Sequence, residues 1–330
     1  MMTVSRTPLR VSFFGGGTDY PEYYERARGA VLGMAIDKYV YISALRLSSV
    51  IDYHYRVSYS RIETVSAARD LQHPVVRSVL QHFALCDPLD LSIMADLPAR
   101  SGLGSSSSFT VGLINLVHSL QKRPITKLDL ARTAVYVERE LLAENVGVQD
   151  QYHSAFGGLN RFEFSAGRTR IEPVQMTAPC QAALTGSLFL VYTGVTRFAS
   201  ATLAEQMQRM AIRAVDDELS HLLTLVDQAV AVLEGDDPER LLVEFGAMLN
   251  DGWETKKRLS SKVSSPQIDA LYDAARAAGA NGGKLCGAGS GGFLLMLVPP
   301  ERQAGFLERM RGASVIPVGM DTIGSTILTG

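Results

Sequence analysis

Cysteine is scarce in this chain, and its spacing argues against two structural classes. Cys86, Cys180 and Cys286 are the only three among 330 residues. They are odd in number, widely separated and form no Cys-x-x-Cys, so neither a disulfide framework nor a zinc site is expected. The six histidines form no His-x-x-x-His pair. Long apolar runs are missing too. The longest, such as Phe293–Val298, are strand-sized and far too short to cross a bilayer. The opening residues, Met1 to Arg10, lack the apolar stretch of a signal peptide. Nor is there an excess of one charge: the net charge is −2, which leaves no global basic field for nucleic acid. These absences lead us to expect a protein of the reducing cytoplasm with no nucleic-acid or membrane partner. Nothing in the sequence speaks to oligomeric state.

What is present is the composition of a globular protein, 46% hydrophobic and 20% charged. The chain exceeds the roughly 100–200 residues of one domain, so two domains sharing a cleft are expected. Short apolar or alternating runs at Val11–Phe14, Val40–Leu45, Val57–Tyr59 and Leu91–Ala95 predict strands in the first half. A helix opening after Gly104 would carry Val111, Ile114, Val117 and Leu120 inward. A second is capped by Thr126, with Asp129 three residues on. A strand at Ser187–Tyr192 opens the second half. Amphipathic helices are then expected at about 200–233, 239–250, 266–278 and 301–311, with strands at 292–298 and near 315–318. The change from strand-rich to helix-rich pattern places a domain boundary near residue 184.

Three glycine-rich segments stand out. Leu97–Phe109 joins a strand to a helix, and Gly102 and Gly104 permit close backbone approach just before Ser105, Ser106, Ser107 and Ser108. Exposed amides and the positive end of a helix dipole suit a phosphate there. A flexible Ser/Gly turn with ordinary capping is the other reading. No Gly-Lys-Ser/Thr ends the segment, so it is not a Walker A loop. The second segment, Lys284–Phe293, matches Gly-x-Gly-x-x-Gly at Gly287, Gly289 and Gly292. Its context, a helix before and a strand after, is the reverse of a dinucleotide fingerprint. A protein-kinase loop is excluded because the chain has no His-Arg-Asp and no Asp-Phe-Gly. A glycine turn that lets two segments meet remains. The third segment ends a strand in Gly15, Gly16 and Gly17, followed at once by Thr18 and Asp19, a composition suited to gripping sugar hydroxyls.

Two carboxylates complete the pattern. On the helix expected from 127 to about 142, Ala131, Ala134, Val135, Leu141 and Leu142 form the apolar stripe, and Glu138 lies within it. An inward carboxylate needs a cation or hydrogen-bond donors to offset its desolvation, so Glu138 is either a functional carboxylate or a structural ion-pair partner. Asp150 follows Gly147 at the start of a short helical pattern, where a helix dipole favours the ionised form; it is a functional carboxylate or a helix cap. His153 reads as a packing or hydrogen-bonding residue.

Taken in this order, the segments resemble the GHMP kinases (galactokinase, homoserine, mevalonate and phosphomevalonate kinases). The resemblance spans nearly the whole chain. It implies an α+β, two-domain protein: an ATP-binding domain like ribosomal protein S5 domain 2 over 1–184, and a ferredoxin-like domain over 185–330, with the active site between. It further implies ATP and Mg²⁺ as cofactors and a small-molecule acceptor. Gly102, Leu103, Gly104, Ser105, Ser106 and Ser107 match the nucleotide phosphate loop. Ser106 and Glu138 match the Mg²⁺ ligands, Asp150 the catalytic aspartate and Arg10 the arginine beside it. Gly287 and Gly289 would support the phosphate loop and the substrate pocket.

Where galactokinases carry Gly-Glu-His-Thr-Asp, this chain has Gly15-Gly16-Gly17-Thr18-Asp19. That form, with Asp37-Lys38-Tyr39, Thr193 to Arg197 and Gly252 to Arg258, is most similar to the D-glycero-D-manno-heptose 7-phosphate kinases. Members of that branch phosphorylate the anomeric C1 hydroxyl and feed nucleotide-activated heptose into bacterial surface polysaccharide. A sugar-phosphate acceptor implies a second cationic site, for which Arg197, Lys256, Lys257 and Arg258 are candidates. Other acceptors of the family (a hexose, a fucose-like sugar, a mevalonate-type alcohol) stay open, as does a non-catalytic sugar sensor. Ser107 and Ser108 replace the commoner Ala-Ala, and Ser290 replaces a usual glycine.

Overall fold

The chain begins with two long antiparallel strands, β1 (Met2–Phe14) and β2 (Gly29–Arg46), joined through the short helix α1 (Pro21–Tyr24). This is a computed structural model, and it describes residues 2–195 and 200–329. Pro8 has no amide to offer the ladder, and the register of β1 on β2 slips just after it. The first half continues with β3 (Tyr55–Ser58), β4 (Ile62–Val65), α2 (Pro74–His82), β5 (Leu89–Ala95), α3 (Ser105–Leu120), α4 (Lys127–Tyr136), α5 (Gln149–Phe156), β6 (Leu159–Ser165) and β7 (Arg168–Pro173). The second half holds α6 (Ala178–Thr185), β8 (Leu188–Tyr192), α7 (Ser200–Ala211), α8 (Asp216–Leu233), α9 (Pro238–Lys257), α10 (Pro266–Ala278), β9 (Gly282–Leu285), β10 (Phe293–Leu297), α11 (Gln303–Arg309), β11 (Val315–Pro317) and β12 (Thr326–Thr329).

Two sheets organise these elements. The larger has the order β12-β1-β2-β5-β3-β4, and β6 and β7 extend it from the other end of β2; the smaller has the order β11-β8-β10-β9. Among the described residues, only β3 and β5 pair in parallel. Strand β12 brings the end of the chain back to β1. Phe13 and Phe14 set their rings edge-on against Phe245 of α9, with centroids 5.1 and 5.3 Å away. That contact locks the end of β1, and so the glycines after it, to the second half of the chain. A second core forms around Trp253, Phe306 and Met296. Among the described residues, no helix is long and apolar enough to cross a membrane.

The four expected N-terminal strands fall within or largely on β1, β2, β3 and β5. Three expectations need correction. The helix read over 200–233 is two, because Arg213 takes a positive φ of 59° and breaks the run between α7 and α8. Helix α9 runs seven residues beyond the expected end at 250, to Lys257. The segment before the late glycine run is not a helix but β9, so Cys286–Gly292 is the turn of a hairpin. Gly282 and Gly283 hide this strand from pattern reading. Their role is steric: a Cβ at Gly282 would sit 1.8 Å from the Gly246 carbonyl oxygen, so α9 can lie directly on β9.

Candidate active site between two glycine-rich loops

Strand β5 runs into the loop 96–104, and α3 starts at Ser105. Gly102 and Gly104 have φ of 81° and 74°, the left-handed region that residues with a Cβ avoid. Space demands glycine as well. A Cβ at Gly102 would lie 2.5 Å from the Cys286 carbonyl oxygen, and one at Gly287 would lie 2.5 Å from the Gly102 Cα. The phosphate-loop candidate and the late glycine turn thus touch backbone to backbone. At this junction α3 presents its unpaired first-turn amides and the positive end of its dipole. Ser105 and Ser106 line a cavity there. Ser107 and Ser108 turn inward, and Ser108 Oγ donates to the Pro8 carbonyl at 2.9 Å. Leu103 is buried, and its carbonyl accepts from the Arg10 amide at 3.0 Å.

Arg10 from β1 and Asp150 from the first turn of α5 meet as a two-pronged ion pair. Nε donates to Oδ1 at 2.7 Å and Nη2 to Oδ2 at 2.8 Å, while Nη1 donates to the Gly102 carbonyl at 2.6 Å. Burial opposes the charge on Arg10, but Asp150 outweighs it and holds the guanidinium firmly protonated. A Cβ at Gly104 would stand 3.3 Å from Asp150 Oδ2, so the glycine loop lies directly against this pair. One arginine therefore positions both the loop and the carboxylate.

The helix expected over 127–142 departs from its period. Helix α4 ends at Tyr136, and Val137–Leu141 form a π-turn, a feature that recurs at functional sites. The wider turn brings Val137 into the core and turns Leu141 out, while Glu138 stays inside at 1% exposure. Ser107 Oγ and Gln151 Nε2 both donate to Glu138 Oε2, at 2.9 and 2.5 Å, and Oε1 has no partner among the described residues. Burial pushes this carboxyl up to about 7. Ser107 supplies a hydroxyl to Glu138, and the Thr110 hydroxyl also opposes the rise in its pKa. Ser106, about 100° round the helix from Ser107, is exposed.

The cavity between the two loops has a volume of about 250 Å³ and is lined by Gly16, Gly17, Asp19, Asp150, Lys256 and Gly287, among others. Asp19 is buried, and its oxygens accept from the amides of Gly17 and Gln149 at 3.0 and 3.3 Å. Burial raises its pKa against those two donors. Thr18 does not line the cavity. Its hydroxyl donates toward the Gly15 and Ala30 carbonyls and accepts from the Ala30 amide, so it locks the turn. Gly289 packs on Val263 and lies off the cavity too. Of the expected cations among the described residues, only Lys256 lines the cavity. Lys257 pairs with Glu254 and lies over the Trp253 ring, Arg258 reaches toward Glu218, and Arg197 lies outside the described residues. His153 packs edge-on to Phe162 with centroids 4.7 Å apart. Among the lining residues that went unread is Lys284 of β9, whose only signal was a lysine inside an otherwise small and apolar strand.

Residues 67–158 match the family description "GHMP kinases N terminal domain", and residues 238–314 match "GHMP kinases C terminal". The chain belongs to the GHMP kinases and is an ATP-dependent phosphotransferase. It is 27% identical to D-glycero-alpha-D-manno-heptose 7-phosphate kinase of Campylobacter jejuni, over 93% of this chain and 92% of that protein. The galactokinase of Pyrococcus furiosus is 26% identical, over 90% of this chain and 89% of the relative. In fold the chain is similar to a D-glycero-D-manno-heptose 1-phosphate kinase from Bacteroides thetaiotaomicron, with a TM-score of 0.75, 24% identity and 99% of each chain covered.

Proposed function

We propose that this kinase transfers the γ-phosphoryl group of ATP to the anomeric C1 hydroxyl of D-glycero-D-manno-heptose 7-phosphate, yielding the 1,7-bisphosphate in the cytoplasm. The observation that carries the reaction class is the Asp150 carboxylate, held by Arg10 beside Gly104 at the opening of α3. Asp150 orients the C1 hydroxyl and takes its proton as the new O–P bond forms and the bond from Pγ to the ADP oxygen breaks. A loose transition state lets that proton leave late, so positioning of the hydroxyl by the Arg10-held carboxylate is what matters most. An anomeric hydroxyl, more acidic than an ordinary alcohol, eases that transfer. The α3 amides take up charge on the nucleotide phosphates.

The sugar assignment has two supports. Gly16, where a Cβ would meet nothing closer than 3.7 Å, leaves the acceptor end of the cavity without a side chain, giving room for a seventh carbon. Lys256 supplies a cation for an acceptor that already carries phosphate. Phosphorus NMR of the product is expected to reveal an anomeric phosphate beside the original ester. A new phosphate away from C1, or faster turnover of galactose or mevalonate, would sink this assignment.

The residues present fit a divalent cation. Glu138 Oε1 is buried and unpartnered, and a carboxylate with one hydroxyl is enough protein when phosphates and water complete an oxygen shell. Glu138 and Ser106 would hold it, with Ser107 orienting the carboxylate. When bound it neutralises phosphate charge.

Glu138→Gln tests this reading through stability as well as activity. The Glu138 carboxyl titrates at about 7 when folded, against 4.5 ordinarily. Stability present below 4.5 is thus lost as pH climbs through 7, by roughly 3 kcal/mol. Without ligands at pH 8, the Gln variant is expected to melt above wild type, and the difference should vanish near pH 4. Half-activation by Mg²⁺ should meanwhile move up about tenfold. An unchanged Mg²⁺ curve would make Glu138 a structural residue.

A further inference from the structure

Lys284 stands out among the buried groups that the reaction above does not use. It is 7% exposed, lines the cavity, and donates from Nζ to the Phe13 carbonyl at 2.7 Å. An ammonium has three N–H donors, and that carbonyl is the one acceptor recorded for them among the described residues. Lys256 enters the same cavity from α9, with Nζ on the carbonyls of Leu285 (3.2 Å) and Gly287. Neither lysine has a carboxylate partner among the described residues. Asp150 is already taken by Arg10, and Asp19 is held by backbone amides. Two ammonium groups therefore line one cavity of about 250 Å³ with no ion-pair partner of their own among the described residues. That is a costly arrangement in an empty protein, and an anion relieves it.

We propose that Lys284 and Lys256 together form the seat for the phosphate monoester that the acceptor already carries. This rests on the sugar-phosphate reading above and names the residues that would enforce it. The nucleotide phosphates have their own donors in the first-turn amides of α3, which line the same cavity. Lys284 is bonded instead to Phe13, two residues before the Gly15–Gly17 turn at the acceptor end. Burial holds Lys284 well below the usual lysine range and Lys256 at about 8, as expected of cations awaiting a counter-ion.

The test uses the whole chain saturated with a non-hydrolysable ATP analogue, titrated with heptose 7-phosphate and with unphosphorylated heptose. Wild type is expected to favour the phosphorylated sugar by about 30-fold, the scale of one or two charge-assisted hydrogen bonds. In Lys284→Met that preference should fall to about threefold or less, while affinity for the ATP analogue moves by less than about threefold. Lys256→Met should act in the same direction and serves if Lys284→Met does not fold. A preference that survives in both variants overturns the proposal. So does an equal loss of ATP-analogue affinity, which would assign the lysines to the nucleotide. If neither sugar binds, the acceptor reading fails, and inorganic phosphate alone then reads the seat. It should raise the melting temperature of wild type but not of Lys284→Met, and equal effects on both proteins would remove the seat.

Discussion

Asp150→Asn is expected to lower kcat by about 10³-fold while the affinity for ATP changes by less than about threefold. The variant keeps the size and shape of the side chain, so the cavity stays as it is. What it loses is the proton acceptor and one charge opposite Arg10. The new amide also turns an N–H toward a guanidinium that offers only donors, where Oδ1 and Oδ2 now accept at 2.7 and 2.8 Å. A stability loss of about 1–3 kcal/mol is therefore expected alongside, and melting must be followed to separate it from catalysis. A coupled ADP-release assay at saturating acceptor measures kcat, and titration with a non-hydrolysable analogue measures nucleotide binding. Turnover within a few-fold of wild type in a folded variant would remove Asp150 from the reaction.

The second large effect is steric. Gly102→Ala places a Cβ 2.5 Å from the Cys286 carbonyl oxygen at a φ of 81°, where both partners are backbone and neither can swing away. The two glycine loops must then separate. We expect a loss of about 2–4 kcal/mol in stability and a rise of more than about tenfold in the KM for ATP. Gly167→Ala is the control. It shares a positive φ of 70° but has nothing within 4 Å of its Cβ, so only the conformational penalty of about 1 kcal/mol applies. Thermal melting and ATP kinetics of the two variants separate contact from strain. Equal, small effects in both would mean that the loops tolerate separation and that their contact does not shape the nucleotide site.

Several features of the site were legible because they are local. The serine run after Gly104 starts a helix, Asp150 stands in the first turn of another, and Thr126 caps a third through the Asp129 amide at 3.1 Å. The inward placement of Glu138 was also legible, since apolar neighbours at helical spacing mark the buried face. The π-turn that carries it was not. It depends on how the chain leaves the core after Tyr136, which no local period encodes. Lys257 and Arg258 were plausible cations in the sequence, yet one turn of α9 decides that only Lys256 looks inward.

By itself the sequence determined the reaction class. No single glycine motif or carboxylate carried it; their order along the chain did, through its resemblance to the GHMP kinases. Tertiary structure alone decided which groups share the cavity. Arg10 and Asp150 are 140 residues apart, and Lys284 lies 271 residues from the Phe13 carbonyl it bonds. Those encounters are made by strand pairing, by helix α9 lying on the two glycines that open β9, and by two loops meeting where neither has a side chain. Each depends on close packing between distant segments, so no window of the sequence contains it.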